Sequence, residues 1–467
     1  MTRFTWRDVL DATGAVPLSG VGERSLAGVC TDTRTLRPGE LFLALRGPNF
    51  DGNRFAAKAL AAGAGGLLLR EDAALGAEGL SPDRPVAVHP EPRRALADLA
   101  GWYRSTLEVP VIGVTGSCGK TTTKDIVREL FAPLFGVVAS PSSFNNEIGV
   151  PLSILLAERD TRMLCLEMGT SHPGEIAALS RIARPSAGII TNIGAAHLEG
   201  LGTMEGVARE KGDLAAAVPR EGFVVLNADC RFTPAVRERT TARVITFSIE
   251  GGPAGSGVGE RGDLDATELL FHSGGTTFRL GEREVTTPLL GTHNVQNLLA
   301  ALSVALGLEI DLDRVLPQVA TLHGGRQRME RIELGDATLF DDTYNSNPQA
   351  LRAAVRVLAG LHGYERRVLV LGDMLELGDL AAELHHRVGV EAARQGVDLL
   401  VLVGELARAA GAGALEAGLP QSAVVHFGGT DAAAEGIGSI VRAGDAVLVK
   451  GSRLLRMERI VLALTER

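Results

Sequence analysis

The chain has 467 residues, 45% of them hydrophobic, 22% charged and 4% aromatic, with a formal net charge of −9. That length exceeds one ordinary hydrophobic core and implies about three domains. The acidic balance argues against nucleic acid or a membrane surface as the main partner, while an anionic small substrate at a local cationic site stays open.

Residues 1–108 carry short apolar runs at Leu41–Leu45, Gly66–Leu69 and Val86–Val88, with turn-rich segments such as R-G-P-N-F-D-G-N between them. A helix is expected over Glu91–Leu107, leading to a boundary at Val109–Pro110. Residues 109–320 alternate strand and helix, with strands expected at Val111–Val114, Gly136–Ala139, Met163–Glu167, Gly188–Thr191, Phe223–Leu226 and Val244–Phe247. Such alternation predicts a mostly parallel sheet covered on both faces, with ligands at the carboxyl ends of its strands, where Glu167, Asn192 and Asn227 lie. Gly251–Gly262 reads as a glycine-rich loop. Residues 321–467 begin the alternation again, at Thr338–Asp341, Arg367–Leu371, Leu399–Val403, Val424–Phe427 and Ala446–Lys450. The fold class expected is α/β in three domains: a small α/β domain over 1–108, a central P-loop ATPase-type parallel sheet over 109–320, and a Rossmann-like domain over 321–467.

The uncharged stretch Val285–Leu308 holds Pro288, His293, Asn294, Gln296 and Asn297, and its apolar part is too short to span a bilayer. The opening M-T-R-F-T-W-R-D lacks the apolar core of a signal peptide. Cys30, Cys118, Cys165 and Cys230 show no metal-ligand spacing and fit a reduced compartment. The expectation is a soluble, cytoplasmic protein with no nucleic-acid partner and no membrane insertion.

The strongest chemical signal is Thr115–Thr122, T-G-S-C-G-K-T-T, directly after the apolar run Val109–Val114. Strand, glycine loop and helix start make a phosphate cradle: backbone N–H groups turn inward, the helix N-terminus adds partial positive charge, and Lys120 reaches the outer phosphates. Thr115, Gly116, Ser117, Cys118, Gly119, Lys120, Thr121 and Thr122 are the expected nucleotide contacts. The usual spacing wants glycine at 114, where Val114 stands.

Phosphoryl transfer needs a divalent cation. Thr121 can offer a hydroxyl, and Glu167 ends a strand beside the loop, although a solvated strand-end glutamate reads equally well. His197 follows the next strand; a lone histidine is more often structural than a ligand. Lys211, on its own, reads as a surface lysine paired with a nearby acid. Asn294 and Asn297 share a helix face that could meet a base, or they cap the helix. Asp341-Asp342-Thr-Tyr-Asn-Ser-Asn-Pro is more polar than a turn requires, though a turn with a cap also accounts for it.

Taken together these strings resemble the Mur ligase family over nearly the whole chain, in order. T-G-S-C-G-K-T-T is similar to that family's phosphate loop, glycine spacing included. Asn145–Leu152 (N-N-E-I-G-V-P-L), Asp341–Pro348, Leu371–Gly378 (L-G-D-M-L-E-L-G) and Lys450–Arg453 (K-G-S-R) resemble most the member that handles a dipeptide. T-N-I-G-A-A-H-L and G-T-H-N-V-Q-N are shared across the wider family.

The resemblance implies an ATP-dependent amide ligase joining D-alanyl-D-alanine to UDP-N-acetylmuramoyl-tripeptide through an acyl phosphate, with ADP and phosphate released. It implies a place in peptidoglycan synthesis and a monomer. It implies that Thr121, Glu167 and His197 bind magnesium, two ions in all, and that Lys211 is carbamylated and bridges metal. It implies that Asn297 contacts adenine, Arg326 the outer phosphates and Asp342 the ribose. Lys120, Lys211, His197 and Arg326 would then be catalytic. Thr33, Arg34, Asn145, Asn146, Tyr344, Asn345 and Asn347 would meet the substrates. Three positions depart from the family pattern: Thr33 for serine, Asn53 for histidine, and K-G-D at Lys211–Asp213 for K-G-E. Rival classes are a sister amide ligase or folylpolyglutamate synthase, against which the Asp341–Pro348 string argues, a nucleotide switch or motor, and a non-catalytic nucleotide scaffold.

Overall fold

The computed structural model describes residues 3–19, 24–72, 85–194, 196–249, 262–272, 274–323 and 325–466. Most of the expected loop Gly251–Gly262 lies outside them. The described chain forms three α/β layers around three larger sheets.

The first sheet has five strands in the order Val16–Ser19, Val86–His89, Gly66–Arg70, Leu41–Leu43, Val29–Cys30. Only its first pair is antiparallel. The apolar run Leu41–Leu45 is a strand only as far as Leu43. The preceding helix Trp6–Thr13 starts at a capping box: Asp8 N–H donates to Thr5 Oγ1, and Thr5 N–H donates back to Asp8 Oδ2. Helix Pro92–Ser105 begins with proline, whose missing N–H is no loss in a first turn. Its buried positions Ala95, Leu96, Leu99 and Tyr103 recur at helical spacing and join Val150, Ile154, Ile176 and Leu179 of the next layer in one hydrophobic cluster. Each large side chain buried there stabilises by about 1.5–3 kcal/mol.

The central sheet has nine strands: Gly136–Ala139, Thr161–Glu167, Val111–Thr115, Ala187–Ile190, Phe223–Asn227, Arg243–Ile249, Leu264–His272, Gly275–Leu280 and Arg283–Thr287. The first seven run parallel, and the last two pair antiparallel. The three strands between Leu264 and Thr287 were not expected from sequence. Polar residues interrupt them, as in R-E-V-T-T, and the first even leaves Leu270 and Phe271 exposed, so they lack the continuous buried apolar run of a doubly covered strand. The uncharged segment before Leu308 proves to be helix Thr292–Gly307, buried on nearly every side among Val225, Phe247, Ile126 and Leu130. Among the described residues no helix is long and apolar enough to cross a membrane.

The third sheet orders Glu330–Leu334, Ala337–Asp341, Asp445–Lys450, Arg366–Gly372, Leu399–Val403 and Val424–Phe427. All pairs but the first are parallel. The carboxyl ends of its strands carry Asp341, Gly372 and Lys450 toward the carboxyl ends of the central strands, as the contacts below establish.

Candidate functional site

Between strand Val111–Thr115 and helix Lys120–Phe131 the chain turns through Gly116 at φ +149 and Gly119 at φ +83. A Cβ at Gly116 would lie 1.9 Å from Thr191 Oγ1, and one at Gly119 would lie 2.2 Å from Asn297 Oδ1. Both glycines are therefore required by conformation and by contact. Val114 is fully buried in the sheet core, so the loop proper starts after it.

The loop is braced by the end of the neighbouring strand. Ser117 N–H donates to Asn192 O (3.0 Å), Cys118 N–H to Asn192 Oδ1 (2.9 Å), and Ser117 Oγ to Gly194 O (2.9 Å). Lys120 Nζ curls back to donate to Gly116 O at 2.8 Å. Burial pushes the Lys120 pKa down, opposed by Glu167 and Cys118 and reinforced by Arg328.

Glu167 is 1% exposed. Thr121 Oγ1 donates to its Oε2 (2.7 Å) and Asn145 Nδ2 to its Oε1 (2.8 Å). A hydroxyl and a carboxylate oxygen this close, at the start of the phosphate helix, are hard oxygen donors that suit magnesium. Among the described residues no three His, Cys, Asp or Glu side chains converge as a metal cage. Magnesium fits such a sparse set, since it keeps waters and phosphate oxygens as its other ligands. Lys124, one turn along the helix, is buried and donates to Ser140 O (2.7 Å) and Ser142 O (2.9 Å). It ties down the loop that delivers Asn145.

His197 sits in the next strand-end loop at φ +53. Burial, with the charges of Lys120 and Lys211, lowers its pKa to about 4, so the imidazole is neutral at pH 7 and open to ligation. Lys211 lies on helix Met204–Ala217, 1% exposed. The surface-lysine reading is thereby overturned. Burial first, then Lys120, brings its pKa down to about 7. Its neighbour Glu210 is spent on Gly174 N–H (2.7 Å), Ile176 N–H (2.8 Å) and Thr170 Oγ1 (3.1 Å). Asp213, the departure from the family pattern, pairs with Arg239 instead.

Asn297 lies under the loop, 6% exposed, accepting from Thr123 Oγ1 (3.3 Å) and donating to Asn294 Oδ1 (3.2 Å). The capping reading of these asparagines fails, because Gly291 holds the cap position.

From the third sheet, Asp342 pairs with Lys450 at 2.7 Å, and Lys450 also donates to Asn345 O (2.9 Å). Asn345 Oδ1 accepts from Ser346 N–H and Arg453 N–H. Asn347 caps helix Pro348–Gly360 through Ala350 N–H, and its amide donates to Cys118 Sγ at 3.3 Å. The Asp341–Pro348 string thus caps a helix and also touches the phosphate loop. The Arg328 guanidinium stacks 4.1 Å from the Tyr344 ring centre. Arg326 is exposed.

The first-domain residues stand apart from this cluster. Thr33 lies in an outer turn, where Arg34 pairs with Asp32 at 2.6 Å. Asn53 accepts from Arg70 N–H (3.1 Å) and holds its turn against a strand. Asn146 Oδ1 accepts from Gly149 N–H (2.9 Å), opening the next helix. A cavity of about 800 Å³ lies at the other end of strand Ala187–Ile190, lined by Arg104, Ser180, Arg184, Ser186 and Pro219, and does not include the phosphate loop.

Sequence reasoning missed Lys124, Arg328 and the bracing role of Asn192. Lys124 carried a readable signal, since it lies one helical turn after Lys120.

Residues 114–305 match the Mur ligase middle domain, residues 327–453 the Mur ligase, glutamate ligase domain, and residues 25–104 the Mur ligase family, catalytic domain. The UDP-N-acetylmuramoyl-tripeptide–D-alanyl-D-alanine ligase of Escherichia coli (strain K12) is 34% identical over 453 residues, covering 95% of this chain and 94% of the relative. The enzyme of that name from Mycobacterium tuberculosis (strain H37Rv) is 36% identical over 484 residues, covering 96% and 94%. A crystal structure of MurF from Acinetobacter baumannii superposes with a TM-score of 0.86 at 29% identity, covering 99% of both chains. MurF ligase from Thermotoga maritima in complex with ADP gives 0.79 at 26%, covering 94% and 97%. With a phosphate loop braced by its neighbouring strand, a buried lysine beside it and relatives matched end to end, this chain belongs to the Mur ligase family.

Proposed function

We propose that the chain is the ATP-dependent ligase that joins D-alanyl-D-alanine to UDP-N-acetylmuramoyl-tripeptide, giving the pentapeptide precursor of peptidoglycan. The observation that carries this reading is the Cys118–Asn347 contact at 3.3 Å, because it sets a third-sheet loop against the phosphate loop of the central sheet. A hydrolytic switch has no need of a second domain at that point. A ligase does, since two substrates must meet over one phosphoryl group.

A carboxylate is a poor electrophile until its oxygen carries a good leaving group. The peptide carboxylate attacks the γ-phosphorus of ATP, and the bond to the ADP oxygen breaks, giving an acyl phosphate. The amine then attacks the acyl carbon through a tetrahedral intermediate, phosphate leaves, and the amine proton passes to solvent or a base. Lys120 and the loop N–H groups hold the phosphates. Arg326 and Arg328 lie on the segment entering the third sheet, and the charge of Arg328, felt at Lys120, favours it for the outer phosphates. Asp342 would meet the ribose, Asn297 would support the adenine side, and Tyr344, Asn345 and Asn347 would face the reacting ends. Thr33, Arg34, Asn145 and Asn146 would hold the nucleotide-linked peptide.

Thr121, Glu167 and His197 would hold magnesium, with two ions in the working site; bound there, the metal neutralises charge on the transferring phosphoryl group. A lysine amine half neutral at pH 7 is a nucleophile for CO2. Its nitrogen adds to the carbon and releases a proton, which makes Lys211 a carbamate and a further oxygen ligand. The same reading divides the chain at 1–108, 109–320 and 321–467 and has it act as a monomer in the cytoplasm, where its four free thiols stay reduced.

The test is phosphate release with ATP, magnesium and UDP-N-acetylmuramoyl-tripeptide, with and without D-alanyl-D-alanine. Release that ignores the dipeptide sinks the ligase reading in favour of a nucleotide hydrolase.

A further inference from the structure

We propose that Glu376 is the carboxylate that receives the ammonium group of the incoming amino substrate; the inference rests on the ligase reading above. Glu376 lies on the loop after strand Arg366–Gly372, at φ +62, a conformation that a non-glycine residue adopts only when its surroundings hold it there.

The surroundings do hold it. Asp373 N–H donates to Val403 O (3.2 Å), and Asp373 Oδ1 accepts from Ala407 N–H (2.7 Å). Met374 N–H donates to Nε2 of the buried His385 (2.9 Å), whose other ring nitrogen faces Ala381 O (2.6 Å). Leu375 N–H donates to Ser452 Oγ (2.9 Å), and Ser452 N–H returns a bond to Asp373 O (3.0 Å). Three consecutive residues are pinned, and the next one, Glu376, is lifted away from them.

Its side chain is 76% exposed, and its carboxylate faces the central domain, with Oε2 4.0 Å from Nδ1 of His197. His197 lies three residues beyond Gly194, which bonds the phosphate loop through Ser117. The carboxylate therefore stands across the domain junction from the place where the acyl phosphate would form.

The buried and half-buried acids of this region are engaged, and of the exposed ones, Glu199, Asp379 and Glu376, it is Glu376 whose carboxylate reaches His197 across the junction. Glu167 is held by Thr121 and Asn145, Glu210 by two backbone N–H groups and Thr170, and Glu175 by the N–H groups of Ser171 and His172. Asp342 is held by Lys450 and Asp373 by Ala407. Lys120 and Arg328 add positive charge beside the loop and repel a second cation. A substrate that arrives as an ammonium needs one carboxylate with free lone pairs on the acceptor side of the cleft, and Glu376 is placed to supply it.

The experiment is steady-state phosphate release by the full chain and by Glu376→Gln, varying each substrate in turn. Loss of one charge-assisted contact should raise KM for D-alanyl-D-alanine roughly 10- to 100-fold. KM for ATP, KM for the nucleotide peptide, the half-saturating magnesium concentration and the melting temperature should stay unchanged. Glu376→Asp should fall between the two. A dipeptide KM within about twofold of wild type overturns the assignment, as does an equal loss for all substrates or a changed magnesium requirement, which would make Glu376 a support for His197. Wild-type release that ignores the dipeptide overturns the ligase reading itself, and the two failures are distinct.

Discussion

Replacing Lys211 with methionine separates what the buried amine does for the reaction from what it costs the fold. The pKa of Lys211 is brought from 10.5 to about 7 by burial and by Lys120. About half of the amines are then unprotonated at pH 7, against about one in 3,000 for an ordinary lysine. The unfolded chain keeps the proton throughout the window from pH 7 to 10.5 and the folded chain does not, so this residue makes stability rise with pH there. Working that difference through gives a penalty of about 4 kcal/mol at pH 7 and about 1.4 kcal/mol at pH 9.5, both upper limits. Lys211→Met keeps the length and the apolar stem. In CO2-depleted buffer it should unfold at higher urea than wild type at pH 7, with a clearly smaller gain at pH 9.5. Dipeptide-dependent phosphate release should be lost, and in Lys211→Ala short carboxylic acids should restore part of it. A methionine variant less stable than wild type at pH 7, or one that retains full turnover, refutes the reasoning.

Glu167→Gln keeps partners for Thr121 and Asn145 but removes the anion, so turnover should fall at least 100-fold and need far more magnesium, while the melting temperature barely moves. Lys124→Met strands the carbonyls of Ser140 and Ser142 and should destabilise by about 2–4 kcal/mol in thermal unfolding, since bonds from a charged donor are the stronger kind. His293, held near pKa 4 by burial against 6.5 when free, should make stability fall as pH drops from 6.5 to 4, by up to about 3 kcal/mol, and His293→Gln should flatten that slope. Arg328→Ala should raise KM for ATP or lower kcat more than Arg326→Ala does; the reverse order in the same assay would return the outer phosphates to Arg326.

The parallel strands were legible because most are short, mainly apolar runs bounded by polar or turn residues; Leu399–Val403 and Val424–Phe427 fall where sequence puts them. The strands after Leu264 were not, since a half-exposed antiparallel ribbon alternates polar and apolar residues and blends with surface loop. The phosphate loop was readable from spacing, because its glycines answer to backbone geometry that only glycine tolerates. The burial of Lys211 was not: the string E-G-V-A-R-E-K-G-D-L looks solvated, and only packing against the next layer removes its water. Nor can spacing decide which of two arginines two residues apart turns inward, and the stack of Arg328 on Tyr344 depends on a residue 16 positions away.

Helix Pro92–Ser105 belongs to a hydrophobic cluster that runs without a break from the first sheet into the central layer. The third sheet meets the centre differently, through Leu290, the Cys118–Asn347 contact and the His197–Glu376 pair. A large dry junction resists rotation and a small wet one yields to it. The first two domains are therefore expected to travel together as one lever arm, with the joint near Gly325, Gln327 and Met329, all at positive φ. Rotation about that joint would carry Glu376, Tyr344 and Asp342 away from the phosphate loop in a single movement, so that nucleotide exchange and amine entry share one door.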